Sequence, residues 1–239
     1  MIKQKRFAML MLSAFLVISS SNVNGERISD YEYEKGNSNL VVNNRSAKKC
    51  VALTFDDGPH PKYTPEILDI LEKYGAKATF FVVGSNALLY PDIVKSEAER
   101  GHEIGNHTFS HPDLKKISAA GFLEEIRKTS DVIYKITGLT PKLFRPPGGY
   151  LNNDIVNEII ACDGKPVLWS WRQDTRDWAC PSADCIVETV IGNLNDGDII
   201  LFHDYNAGSS PTPVALDRIL KELSEEGYRF VTVSELMSM

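Results

Sequence analysis

Residues 51–61 read VALTFDDGPHP: a run suited to a buried strand passes directly into two adjacent carboxylates, Asp56 and Asp57, and then into a Gly-Pro turn. A short apolar run bounded by turn residues is the pattern of a strand buried on both faces. Two ionised carboxylates at its end repel each other, so the arrangement needs a nearby cation or a shared proton. That conflict makes the pair the first candidate for chemistry.

Outward from this stretch, strand-like runs alternate with amphipathic ones. TPEILDILEKYG puts Ile67, Leu68, Leu71 and Tyr74 on one helical face and ends at Gly75. ATFFVVG follows as a strand, YPDIVKSEAERG as a helix, and HEIGNHTF as a short strand entering a loop. Residues 118–137 carry Phe122, Leu123, Ile126, Ile133 and Ile136 at near-helical spacing, and PKLFRPP reads as strand into loop. NNDIVNEIIA, PVLWSW, DCIVETVIGNL, DIILFHD, PVALDRILKELSEEG and YRFVTV continue the alternation. Such repeated units imply an α/β fold with a parallel sheet, and their number favours a closed or nearly closed (β/α) barrel. The short strands predict that the barrel is distorted.

The chain's 239 residues accommodate one large catalytic domain, expected over 48–239. A net charge of −6 excludes the basic footprint of a nucleic-acid binder. Residues 1–25 place Lys3, Lys5 and Arg6 ahead of the apolar run FAMLMLSAFLVI, the pattern of a secretory signal. The run is shorter than the ~20 residues of a membrane span, so a membrane association is expected only through an uncleaved signal. Residues 26–47 are polar and read as a linker. Export would put Cys50, Cys162, Cys180 and Cys185 in an oxidising compartment, where three pairings are open; Cys180 and Cys185 could close a small loop.

In a barrel of this kind reactive residues gather at the C-terminal ends of the strands. The polar residues that follow apolar runs fit that rim: Asp56 and Asp57, His107, Arg145, Asp174 and Asp177, and His203. His107 and His111 in HTFSH are spaced i and i+4, but Pro112 disfavours a helix at His111, so a turn with converging imidazoles is expected. One carboxylate and two histidines leave coordination positions open, as catalytic metal sites do. The second carboxylate is then free to act as a base.

TFDDGP, HTFSH, RPPGG, DTRDW and LFH, in this order, resemble the five motifs of the polysaccharide deacetylases, the NodB-homology domain of carbohydrate esterase family 4. The resemblance spans about residues 48–239 and implies a distorted (β/α) barrel that removes acetyl groups from N-acetylated sugars with a divalent metal. By position, it implies Asp57, His107 and His111 as metal ligands and Asp56 as general base. It implies His203 as general acid, Asp177 as the carboxylate holding that imidazole, and Arg145 as the residue orienting the base. Gly148 stands where the family often has an aromatic residue, which keeps an oxyanion-binding amide but removes a wall that Tyr150 could replace. Trp178 and Leu201 resemble the pocket for the acetyl methyl.

The expected function is therefore an exported N-deacetylase of a GlcNAc-containing polymer, peptidoglycan ahead of chitin-type oligomers, acting as a monomer at the cell surface or outside it. Zinc is the expected metal, with cobalt or nickel as substitutes. An O-acetyl esterase on acetylated xylan is the nearest alternative. An iron oxygenase would leave Arg145 and the Asp177–His203 pair without a role, and a non-catalytic glycan-binding domain would not need the full set of residues. His60 and His102 are expected at the surface or in loops, Asp174 in a supporting or loop-capping role, and Trp169 and Trp171 in strand packing.

Overall fold

Seven parallel strands form the sheet of the computed structural model, which describes residues 40–179, 182–205 and 208–239. The expected signal at 1–25, residues 26–39 of the expected linker, and Cys180 lie outside the described residues. Strand β1 (Cys50–Asp56) is buried along its whole length. It is flanked by β2 (Thr79–Val82) and β6 (Ile199–His203). The order continues β2, β3 (Glu103–Asn106), β4 (Leu143–Phe144), β5 (Lys165–Pro166), while β7 (Arg229–Val231) pairs with the first half of β1. Each strand ends at the same rim, because every pairing is parallel.

The helices cover the sheet with the faces that the apolar spacing predicts. Helix α1 (Tyr63–Lys73) buries Ile67, Leu68 and Leu71. A short α2 (Gly84–Leu89), which the spacing did not announce, precedes α3 (Pro91–Glu99). Helix α4 (Ala119–Thr137) starts on Ser118, whose side chain accepts from the Gly121 amide, and ends on Gly138 at φ 74°. The remaining helices are α5 (Asn153–Ala161), α6 (Ala183–Asn193), α7 (Thr212–Glu225) and α8 (Val233–Met237). Leu216, Ile219, Leu220 and Leu223 of α7 pack with Leu53, Phe55, Ile200 and Phe202 in the main core.

The sheet closes through irregular segments rather than a regular eighth strand. PVLWSW contributes only Pro166 to the two-residue β5, and the chain after that residue runs to β6, where the Ser170 amide donates to Ile199 O at 2.9 Å. Val41 inserts beside β5, its amide donating to Pro166 O at 3.0 Å while its carbonyl accepts from Leu168 N at 2.9 Å. These single bridges are the distortion of the barrel.

Residues 40–47 thereby depart from the expected linker. Leu40, Val41, Val42 and Ala47 are buried, and Asn43 bridges Asp198. The polar composition of the stretch concealed three aliphatic side chains that plug the seam, so the folded domain includes at least Leu40 onward. His102 lies in the loop before β3, as one of the two expected settings has it, but it is buried there: its Nδ1 accepts from Ala78 N at 3.2 Å, and burial pushes its pKa down to about 4. Trp171 is half exposed rather than packed in a strand.

A chain beginning at Lys48 should lose about 4 kcal/mol or more relative to one beginning at Leu40, the order for withdrawing three buried aliphatic side chains. Urea unfolding of both checks this, and equal midpoints would show that the seam needs no plug.

Candidate active site

The turn after β1 sends its two aspartates in different directions. Asp56, the last residue of the strand, is buried and stays in the barrel. Asp57 adopts φ 75°, a left-handed conformation uncommon for a residue other than glycine, which swings its side chain onto the rim. Asn86 fixes that geometry by donating from Nδ2 to Asp57 O at 2.8 Å. The next position must be glycine, because a Cβ on Gly58 would come within 2.1 Å of the Asp204 carboxylate. Asp204 is buried, accepts from Thr64 Oγ1 at 2.6 Å, and has its pKa pushed up to about 7 by burial, with Asp57 adding to the effect.

Asp57 Oδ1 lies 3.3 Å from His107 Nε2 and 3.3 Å from His111 Nε2. The other nitrogen of His107 is 2.6 Å from Arg145 O, which can only accept, so Nδ1 carries a proton and Nε2 offers a lone pair. Burial raises the Asp57 pKa, but hydrogen bonding and charge from His107, with His203 and His111, outweigh it and hold it at about 2. Burial lowers the His107 pKa, and Asp56 and Asp57 outweigh that effect, drawing positive charge toward the ring. Asp57 Oδ1 is buried, and among the described residues no hydrogen bond of full geometry satisfies it, the two imidazole nitrogens standing at 3.3 Å. An ionised carboxylate facing two imidazole nitrogens is a donor set that a divalent cation satisfies, and the three ligand atoms lie within 4.8 Å of one another. The residues fit a metal.

HTFSH is held as a turn by Thr108 at φ 66° and His111 at φ 50°. Glu125 on α4 organises it, accepting from Phe109 N at 2.9 Å, from Ser110 N at 2.7 Å and from Ser110 Oγ at 3.0 Å. Asn106 anchors the entrance, its side-chain oxygen accepting from Thr108 N at 2.9 Å.

Arg145 is buried beneath these ligands. Its Nη1 donates to Asp56 Oδ1 and to Thr54 Oγ1, both at 2.7 Å, and its Nη2 to Leu168 O at 2.8 Å. The guanidinium stacks 4.1 Å from the centre of the Phe81 ring. Asp56 Oδ2 is the oxygen left toward the rim, 3.8 Å from His107 Nε2.

Across the rim, His203 Nδ1 lies 2.7 Å from Asp177 Oδ1, and Asp177 Oδ2 accepts from His203 N at 2.8 Å and Thr212 Oγ1 at 2.7 Å. Burial alone would lower the His203 pKa; the Asp177 hydrogen bond and charge override it and raise it to about 9. Trp178 is 64% exposed beside this pair, and its amide donates to Asp177 Oδ1. Leu201 is buried in β6 opposite Thr54. On the His111 side, Gly148 at φ 60° and Tyr150 line a concavity of about 400 Å³ with Lys115 and Pro147. Asp174 Oδ1 caps its own loop by accepting from Arg176 N.

Sequence reasoning did not find Glu125, Asn86, Thr54 or Thr212, since each acts on a segment far away in the chain. Asp204 carried a signal, a carboxylate directly following the strand-end His203.

Residues 43–167 match the family model described as polysaccharide deacetylase. A peptidoglycan-N-acetylglucosamine deacetylase of Bacillus cereus is 46% identical over 190 residues, covering 80% of this chain and 89% of that protein. Other relatives are longer, and the chain spans 39% of their length. The crystal structure of a peptidoglycan N-acetylglucosamine deacetylase in complex with a naphthalenyl N-oxidanyl-benzamide superposes with a TM-score of 0.80 at 38% identity, covering 87% of this chain and 96% of that one. A family 4 acetyl xylan esterase from Clostridium thermocellum, in complex with a cobalt ion, superposes with a TM-score of 0.73 at 39% identity, covering 79% and 90%.

Replacing Glu125→Ala releases the HTFSH turn without altering Asp57, His107 or His111 themselves. Metal affinity should fall about 10- to 100-fold. Competition with a chromogenic chelator measures it, and an unchanged affinity would mean that the turn holds itself.

Proposed function

Because the chain belongs to the polysaccharide deacetylase family, we propose that it hydrolyses N-acetyl groups on GlcNAc residues of peptidoglycan, using a divalent metal held by Asp57, His107 and His111. The observation that carries this reading is the convergence of three metal-ligand atoms with an Arg-paired carboxylate on one side and an Asp-held histidine on the other. Zinc suits the imidazole and carboxylate donors, and cobalt or nickel would fit the same set.

When bound, the metal supplies a Lewis acid that polarises the acetyl carbonyl and lowers the pKa of water. Asp56 uses Oδ2 to take the proton from the attacking water, while its Oδ1 stays committed to Arg145. In this reading the Gly148 amide would donate to the developing oxyanion, Trp178 and Leu201 would shape the space for the acetyl methyl, and Tyr150 would lie on the sugar side. His203, its Nδ1 engaged by Asp177, delivers a proton from Nε2 to the leaving amine. The leaving group needs that proton because an amide anion is a poor one.

Substrate and place follow from the relatives and the N-terminus. A Bacillus cereus relative named for peptidoglycan and the basic-then-apolar residues 3–18 support an exported protein working at the cell wall. The acetyl xylan esterase likeness supports a second reading, ester hydrolysis on acetylated xylan.

The chain from residue 27 onward, stripped with chelator and reloaded with zinc, should release acetate from peptidoglycan or GlcNAc oligomers only when reloaded. Asp56→Asn should lower kcat about 10²- to 10⁴-fold. Acetate from xylan alone would replace the proposal with the ester reading.

His203 must be protonated to act as the acid, and with its pKa raised to about 9 it stays so below that pH. Activity should therefore fall as pH rises through about 9. Asp177→Asn removes the anion that raises the pKa, so the alkaline limb of kcat/KM should move to lower pH; an unmoved limb would assign the acid to another group.

A further inference from the structure

At the end of β6 away from His203, the closing segment carries residues that the barrel does not require. Ser170 N donates to Ile199 O and Leu201 N donates to Gln173 O, so one step of β6 is matched by a longer stretch of its partner. Trp171 and Arg172 are the surplus. They loop out in a turn closed by Gln173 N donating to Ser170 O at 2.9 Å, with Arg172 at φ 65°. Such bulges re-aim side chains, and a non-glycine residue at positive φ persists only where the surroundings enforce it. Here the enforcement is visible below the loop: buried Gln173 donates from Nε2 to Asp198 Oδ2 at 3.2 Å and Val190 O at 3.3 Å.

The product of this construction is a tryptophan 50% exposed to water, with no stacked ring beside it among the described residues. It borders a concavity of about 470 Å³ lined by Arg45, Trp171, Arg172, Asn193, Leu194 and Asn195. Arg45 is tied to Asp198 at 2.6 Å, whereas Arg172 has no carboxylate in ion-pair range among the described residues. Asn193 and Asn195 each commit one amide N–H, to Thr189 O and Asn193 O, which fixes their orientation and leaves their side-chain oxygens to accept.

We propose that this concavity is a second glycan-binding site, in which Trp171 stacks on the apolar face of a pyranose while Arg172, Asn193 and Asn195 bond its hydroxyl and amide groups. A flat aromatic surface with convergent donors and acceptors suits a sugar, which presents C–H bonds on its face and polar groups at its edge. The polar lining gives little area to an apolar protein partner, and the net charge of −6 disfavours a nucleic acid. Length separates the site from the catalytic rim: the loop lies beside Ile199–Leu201, two to four residues of β6 short of His203, about 7–13 Å at ~3.3 Å per residue. The site therefore holds a distant part of a polymer, or a neighbouring strand, while the rim acts on another unit.

The test rests on the glycan substrate proposed above for its choice of probe. Binding is measured with Asp56→Asn as background, by co-sedimentation with purified insoluble peptidoglycan, which separates binding from turnover. Adding Trp171→Ala should weaken binding roughly fivefold to tenfold, and Trp171→Phe should restore part of it. In the active chain, Trp171→Ala should raise KM on the insoluble polymer by the same factor and leave kcat and KM on a short soluble GlcNAc oligomer unchanged. Arg172→Gln, an exposed change that keeps the loop, should weaken binding independently. Unchanged co-sedimentation in both Trp171→Ala and Arg172→Gln overturns the site, as does equal loss on polymer and short oligomer. A chain that binds glycan through Trp171 yet releases no acetate would sink the deacetylase reading and leave this site standing.

Discussion

The buried ion pair between Arg145 and Asp56 is the interaction on which the rest of this structure depends. It joins β1 to β4, and through Thr54 Oγ1 and Leu168 O it extends to the irregular segment that closes the barrel. A charge pair taken out of water adds little net stability, but leaving one partner alone costs about 3–5 kcal/mol, so each charge fixes the other in place. Arg145 also reaches the histidines through its backbone: its amide donates to Asn106 O and its carbonyl accepts from His107 Nδ1. One residue thus orients the carboxylate proposed as base and sets the tautomer of an imidazole proposed as ligand.

Parallel topology turns this local arrangement into a site. Because all strands run the same way, β1, β3, β4 and β6 deliver Asp56, His107, Arg145 and His203 to one rim despite their separation in sequence. The charges there are divided. On one side carboxylate charge accumulates around two imidazoles and calls for a cation; on the other, a single carboxylate is matched to a single imidazole and keeps it protonated. The same fold can hold a carboxylate suited to base chemistry and an imidazole suited to acid chemistry a short distance apart, because burial amplifies each pairing separately.

The seam shows a different use of the same barrel. Closure by single bridges leaves freedom that a regular strand would not. Val41 fills one part of the seam, and Trp171 is displaced outward from another.

The sequence by itself determined the strand and helix alternation, because buried parallel strands must be continuously apolar and their covering helices must present one apolar face. It also determined the chemical residues of the rim, since VALTFDD, KLFR and IILFH each place a polar group directly after an apolar run, and HTFSH follows the short strand of HEIGN. Only the tertiary structure decided what surrounds them. Glu125 reads as one more polar residue of an amphipathic helix until the fold brings it under the HTFSH turn, and Thr212 reads as a helix start until it meets Asp177. Leu40, Val41 and Val42 sit in a polar context that hides their burial, and Trp171 looks like packing until the register with β6 expels it. Periodicity reports which face of an element is buried, whereas these contacts are set by how separate elements approach, which no local pattern encodes.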